Sequence, residues 1–301
     1  MRSTLYHSLI VATAMFAVST SCGADGFSGG IGSDYSSGKY GGTETTTIAS
    51  IPFHAKYTSG PLTMKLFVPW LQVTGPGTVI PSGLGGLRGP AGGASGGSGG
   101  SVGAFGCAAD NRSGASRPED NGPCATTPVP GTGAGTTNAV RKTEQGLGDI
   151  VAAATYSAID SNGLLLDVTG RIKFATASEE RGLGSGKTDY ALQFEAEKSI
   201  DKGYINGGLG YKWLGDPTGV SLSNVWYAGI GGGIKFTPDT TAGISYDYAS
   251  AASSSGQAAQ ELSFYVSQRM SQSVKLNASI FKGLSDGSAD WGAGAGLSYS
   301  F

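Results

Sequence analysis

The sequence predicts an all-β chain, a transmembrane antiparallel up-and-down β-barrel of about twelve strands, and three observations point to it. Segments of roughly ten residues alternate apolar and polar side chains, which is the length a tilted strand needs to cross an outer membrane. The last segment, Trp291 to Phe301, places Trp291, Ala293, Ala295, Leu297, Tyr299 and Phe301 on one face and glycines and serines on the other, then stops on an aromatic residue. The aromatics on the apolar faces sort to the two ends of the strands, where rings prefer to sit in a bilayer.

Composition fits that reading. The chain has 301 residues and a formal net charge of -2, which gives no footprint for nucleic acid. Its mean hydropathy of -0.06 looks soluble, but a barrel dilutes its lipid-facing residues with lumen-facing polar ones and produces no long apolar run. The one helical stretch is N-terminal: Arg2 precedes an apolar core from Leu9 to Val18 and small residues up to Ala24. Residues 1–24 read as a cleaved secretory signal peptide, leaving 25–301 as the barrel. Cleavage after Ala24 removes Cys22 and leaves Cys107 and Cys124 as an even pair, so a disulfide between them fits an exported protein. Lipidation at Cys22 is the competing reading; Ser19-Thr20-Ser21 lacks the Leu-like residue it needs.

The strands follow in order. Phe27, Ile31 and Tyr35 share one face of a first strand, with glycines between them. Thr47, Ala49, Ile51, Phe53, Ala55 and Tyr57 alternate with polar residues in the second, and Thr58-Ser59-Gly60-Pro61 turns the chain. Leu62, Met64, Leu66, Val68 and Trp70 face outward in the third. Residues 75–143 then lose all alternation in a Gly/Ser/Pro-rich loop insertion that cannot bury a core. A bridge across Cys107 and Cys124 would stabilise it by about 3 kcal/mol relative to the open segment. Alternation resumes at Gly146-Leu147-Gly148-Asp149, and further outward sets lead to the closing strand: Ile150 to Tyr156, Leu164 to Phe174, Tyr190 to Ala196, Gly207 to Trp213, Trp226 to Phe236, Ala242 to Tyr248, Leu262 to Met270 and Val274 to Ile280. Short turns near Gly60, Asn162, Lys202, Pro238 and Ser271 alternate with longer loops, so the short turns belong in the periplasm and the long loops outside. With an even strand count both termini fall in the periplasm.

Chemical motifs are few. Gly184-Ser185-Gly186-Lys187-Thr188 resembles the end of a nucleotide-binding loop, but its first glycine would fall at Arg181 and a strand follows, so it reads as an outer loop. His54, the only histidine beyond the signal segment, sits near a periplasmic turn opposite Lys65 and reads as an ordinary lumen residue. No catalytic cluster, metal site or cofactor site assembles around it.

The inward charges are Lys56, Lys65, Asp149, Asp167, Arg171, Lys173, Glu195, Glu197, Lys212, Lys235, Asp247, Arg269 and Lys275. They either line a conduit or pair and fill the interior, as Asp149 would with Lys173 in the simplest register. Inward Phe67, Tyr227, Tyr265 and Phe281 add an apolar lining.

The closing strand resembles that of bacterial outer-membrane barrels, and the resemblance implies that Tyr299 and Phe301 are read by the outer-membrane assembly machinery. Val68-Pro69-Trp70-Leu71-Gln72-Val73-Thr74-Gly75-Pro76-Gly77, the long loop, Gly146-Leu147-Gly148-Asp149 and Ser298-Tyr299-Ser300-Phe301 together resemble the transporter-type barrels of the phenol-degradation (meta-pathway) outer-membrane family. That resemblance implies a location in the bacterial outer membrane, in contact with its lipid and lipopolysaccharide. It implies passive passage of a small, aromatic or hydrophobic, solute without an enzymatic step. A closed structural or surface-interaction barrel displaying the loop is the alternative, ahead of a barrel lipase or protease.

Overall fold

The computed structural model describes residues 26–40, 42–76, 79–81, 104–106, 141–217, 221–253 and 256–301. The expected signal peptide, both cysteines of the expected disulfide and most of the 75–143 insertion lie outside these residues.

The strands are β1 (Gly26–Gly38), β2 (Thr46–Ser59), β3 (Leu62–Gly75), β4 (Val79–Pro81), β5 (Ala104–Gly106), β6 (Lys142–Leu147), β7 (Ile150–Ser161), β8 (Leu164–Phe174), β9 (Asp189–Ile200), β10 (Gly203–Trp213), β11 (Val225–Lys235), β12 (Thr240–Ala249), β13 (Ala259–Arg269), β14 (Val274–Gly283) and β15 (Trp291–Ser300). All pairings are antiparallel, and they join sequence neighbours except where β3 pairs across the insertion with β6 and β7 and where β1 pairs with β15 and closes the sheet. β6 continues into β7 as a single wall strand, pairing with the upper and lower parts of β3. The result is a closed twelve-strand barrel. β4 and β5 form a separate two-stranded ribbon, and the wall already includes Gly75, Lys142 and Thr143, which trims the insertion at both ends.

Two prolines explain the irregular place in the wall. Pro52 and Pro69 stand opposite each other on β2 and β3, and neither has an N–H to give its outer neighbour. On one side the β1–β2 ladder skips from Ile31↔Phe53 to Asp34↔Ser50. On the other, the chain breaks between β6 and β7, the Gly148 N–H reaches the Pro69 carbonyl at 2.9 Å, and Asp149 becomes buried.

Turns agree with chain chemistry. Asn162 and Gly163 have φ of +53° and +70°, the pair of left-handed residues that a two-residue hairpin matching strand twist requires. The other tight turns lie at the same end of the barrel, while the strand ends that flank residues 39–45, 76–141, 175–188, 214–224, 250–258 and 284–290 lie at the opposite end.

Outside, the wall is apolar throughout: Leu66, Leu209, Ile205, Ile230, Phe264 and Ile280 are all exposed. A continuous belt of that kind is stable in hydrocarbon and a liability in water. Tyr35, Trp70, Phe174, Tyr190, Trp213, Trp226, Tyr248 and Trp291 form a ring of exposed aromatics at the long-loop end, and Phe27, Tyr57, Tyr156, Phe236 and Phe301 form one at the short-turn end. Across the closing seam Tyr35 meets Trp291 and Phe27 meets Phe301, each with ring centroids 5.4 Å apart, and the Phe301 N–H donates to the Phe27 carbonyl at 3.0 Å.

The alternation yields a direct test. Leu209 and Asn206 lie near the middle of β10 on opposite faces. Leu209→Arg should lower folding free energy in lipid vesicles by about 2–4 kcal/mol, and Asn206→Arg by much less, as read from urea unfolding followed by tryptophan fluorescence. Equal losses would overturn the assignment of faces.

Candidate functional site: the barrel interior

Inward side chains are buried at the long-loop end and increasingly open towards the short-turn end. At the long-loop end Ile48, Leu71 and Val73 of β2 and β3 and Phe281 of β14 meet Tyr40, Val79, Ala177, Leu183 and Ala289, which the connections carry inward. Burial pushes the Tyr40 hydroxyl up to about 12, so it sits there as a neutral phenol with its oxygen 3.5 Å from Ser36 Oγ. These nine side chains form an apolar core inside the mouth.

Just inside the mouth is a buried charge cluster. Lys173 Nζ, with its side chain fully buried, lies 3.0 Å from Asp149 Oδ2 and 2.7 Å from Asp189 Oδ2, and donates to Ser185 Oγ at 2.6 Å. Two carboxylates and a hydroxyl thus surround the ammonium, the Asp149 contact being an ion pair without hydrogen-bond geometry. The other carboxylate oxygens accept backbone N–H groups from loops: Asp149 Oδ1 from Thr176 at 3.1 Å and Ala177 at 2.9 Å, Asp189 Oδ1 from Gly215 at 2.9 Å. One lysine thereby holds the 175–188 and 214–224 connections to the wall. Arg181 adds an exposed tie, with Nε 3.0 Å from Glu144 Oε2 and a further hydrogen bond to the Gln145 carbonyl. Ser185 belongs to the Gly184–Thr188 run, which in this fold supplies an acceptor for a buried cation from one of the long connections.

Below the cluster, aromatic rings lie against the wall over inward-facing glycines. A Cβ at Gly210 would strike the Tyr227 ring, at Gly233 the Tyr204 ring, at Gly243 the Tyr265 ring, at Gly292 the Phe281 ring, and at Gly30 the His54 ring. Glycine leaves the wall low enough for a neighbouring ring to lie along it. The rings are tied in place. Tyr227 donates to Gln193 Oε1 at 3.1 Å, Lys212 Nζ sits 4.8 Å from the Tyr227 ring centroid, and the Tyr204 and Tyr265 hydroxyls share a hydrogen bond.

Twelve of the thirteen charged residues expected on the inner face fall on inward positions of the ladder, as do Phe67, Tyr227, Tyr265 and Phe281; Asp149 lies off the ladder, in the break between β6 and β7, with its side chain buried. The expected Asp149–Lys173 pair forms. His54 differs: its cross-strand partner is Phe67, while Lys65 stands opposite Lys56, because the Gly60 turn pairs Ser59 with Leu62. His54 Nε2 instead lies 3.5 Å from Ser298 Oγ. Asp189, Gln193 and Tyr204 were not legible as site residues. Extending the β9 alternation back one step from Tyr190, and that of β10 back from Asn206, was the signal that would have found Asp189 and Tyr204. Among the described residues no three His, Cys, Asp or Glu side chains converge as metal ligands.

Lys173→Met should cost about 3–5 kcal/mol in urea unfolding from lipid vesicles, because it strands two buried carboxylates. Adding Asp149→Asn and Asp189→Asn should recover part of that loss. A single variant as stable as the parent protein would show that the cluster does not hold the mouth together.

Comparison with known proteins agrees with this architecture. No curated protein sequence matches the chain. The crystal structure of an outer membrane channel from Pseudomonas putida F1 superposes with a TM-score of 0.62 at 11% identity, over 93% of this chain and 97% of that one. The P. putida toluene transporter TodX superposes with a TM-score of 0.41 at 10% identity, over 93% and 90% of the two chains. The first likeness shows the fold. Residues 97–301 match the family described as "Putative MetA-pathway of phenol degradation", and the chain belongs to that family.

Proposed function

We propose that the protein is an outer-membrane channel for passive passage of a small, aromatic or hydrophobic solute. One observation carries this reading: the interior rings of Tyr204, Tyr227, Tyr265 and Phe281 are laid along the wall over glycines. Tyr204, Tyr227 and Phe281 are buried in that position and Tyr265 is half-buried, so these rings give the wall an apolar backing instead of projecting across the barrel. Membership of a phenol-degradation family and the fold shared with a solved P. putida channel support the same conclusion. In this reading Asp149, Lys173 and Lys212 are buried in the long-loop mouth and the other ten of the thirteen inward charges line the lumen, both termini lie in the periplasm, and Tyr299 and Phe301 serve as the signal for the assembly machinery. Residues 1–24 are the export signal, Cys107 and Cys124 form a disulfide in the 75–143 insertion, and lipid and lipopolysaccharide surround the belt. The chain performs no chemical step.

Buried packing at the long-loop end makes the 175–188 connection the resistance in the path, with Leu183 and Ser185 as its innermost residues. A closed barrel that displays its loops is the second reading, favoured by that same packing.

Planar-bilayer recording and vesicle uptake separate the two. Phenol should enter protein-containing vesicles well ahead of its leak through protein-free ones, and replacing Arg181 to Lys187 with a shorter Gly-Ser linker should raise single-channel conductance. A barrel that inserts normally, admits no phenol and conducts no better with the shortened loop is the closed form.

A further inference from the structure

At the short-turn end the inner wall carries like charges side by side. Lys56 and Lys65 are direct cross-strand partners on β2 and β3, and Arg269 and Lys275 are direct partners on β13 and β14. Like charges placed directly opposite each other destabilise a sheet. Between the two pairs lie only β1 and β15, and they contribute serines: Ser28 is paired with both Lys56 and Ser300, and Ser298 with Lys275. Six adjacent strands thus present Lys65, Lys56, Ser28, Ser298, Lys275 and Arg269 in one arc, at a spacing of about 4.8 Å per strand. Lys65 and Arg269 are exposed although they point inward, Lys56 and Lys275 are half-buried, and Ser28 and Ser298 between them are buried, so water and small solutes reach the cations on the two flanks of the arc. His54, two residues above Lys56 on the same face, lies beside Ser298.

The facing wall is of opposite sign. Asp167 and Glu195 are direct partners on β8 and β9, with Glu197 two residues further along. Segregation of charge is therefore a feature of the whole short-turn half: cations on β2, β3, β13 and β14, carboxylates on β8 and β9, and Lys235 of β11 on the border. Interleaving the two signs would have relieved both sets of repulsion; separating them leaves a cationic arc on one side of the short-turn end. Guanidinium and ammonium groups gathered on one wall suit a carboxylate. Above them the wall-lying rings suit an apolar body.

We propose that this arc is a binding site for the carboxylate of a small organic acid, with an aromatic acid as the class that engages both the arc and the rings. The proposal rests on the channel reading for its biological sense, since it places a solute-binding station at the short-turn mouth. The binding itself needs no conduction.

Benzoate is the probe, with benzyl alcohol as its uncharged counterpart, titrated calorimetrically into the full chain refolded in phosphatidylcholine nanodiscs. Benzoate should bind and benzyl alcohol should bind far more weakly. Lys56→Gln/Lys65→Gln, and separately Arg269→Gln/Lys275→Gln, should each weaken benzoate by roughly tenfold, as expected for removing two partly solvated charges. Asp167→Asn/Glu195→Gln should not weaken it. Both cation variants remove a repulsion, so they should fold and melt no lower than the parent protein; heat-modifiable gel migration checks this. Equal benzoate affinity in the parent and in both folded cation variants, or equal affinity for benzyl alcohol, overturns the site. Conduction with those equal affinities leaves the channel standing without it, and benzoate binding in a barrel that does not conduct leaves the site standing without the channel.

Discussion

Hydrocarbon offers no hydrogen-bond partner to a backbone, and every other feature of this structure depends on that constraint. A sheet that crosses a bilayer must close so that no edge is left open, and closure here is made by β1 against β15, with Ser28↔Ser300 at one end of the seam and Ser37↔Trp291 at the other. Once the wall is closed, successive side chains divide between lipid and lumen along every strand. The two prolines at positions 52 and 69 are a local cost of this scheme. They remove donors from the ladder on either side, and the chain answers with a skipped pairing in β1–β2 and a break between β6 and β7. That break turns Asp149 inward.

Asp149 then becomes part of the device that shapes the long-loop mouth. A buried lysine is tolerated because two carboxylates, Asp149 and Asp189, and the Ser185 hydroxyl surround it, and the other carboxylate oxygens accept loop N–H groups. The cluster converts two of the long connections from surface loops into part of the interior, where Leu183 and Ala177 join the apolar core. The short-turn end has no such lining of folded-in loops, because its turns are too short to reach inward. The interior is thus packed and apolar at one end and open and charged at the other, an asymmetry that follows from loop length.

Much of this was legible in the chain. Period-two alternation located the barrel strands and the direction of their faces, because a strand between lipid and lumen has no other way to satisfy both. The same alternation placed the inward charges and sorted the outward aromatics into two rings. The Asp149–Lys173 pair was expected from the simplest register, and it forms by another route: a bulge between Ser157 and Ile159 sets Val151 opposite Lys173, and Asp149 reaches the lysine from beyond the end of the ladder.

Contacts between strands distant in sequence were not legible. That Lys173 also meets Asp189, that Tyr204 bonds to Tyr265 sixty-one positions away, and that rings recline on particular glycines all depend on the shear and closure of the wall, which local pattern does not contain. The register at His54 depended on which residues the Gly60 turn brings together. The sequence by itself determined which side chains face lipid and which face the interior, because strand geometry alternates without reference to anything else. Only the tertiary structure decided which inward groups meet, because closing twelve tilted strands brings together residues that no periodicity relates.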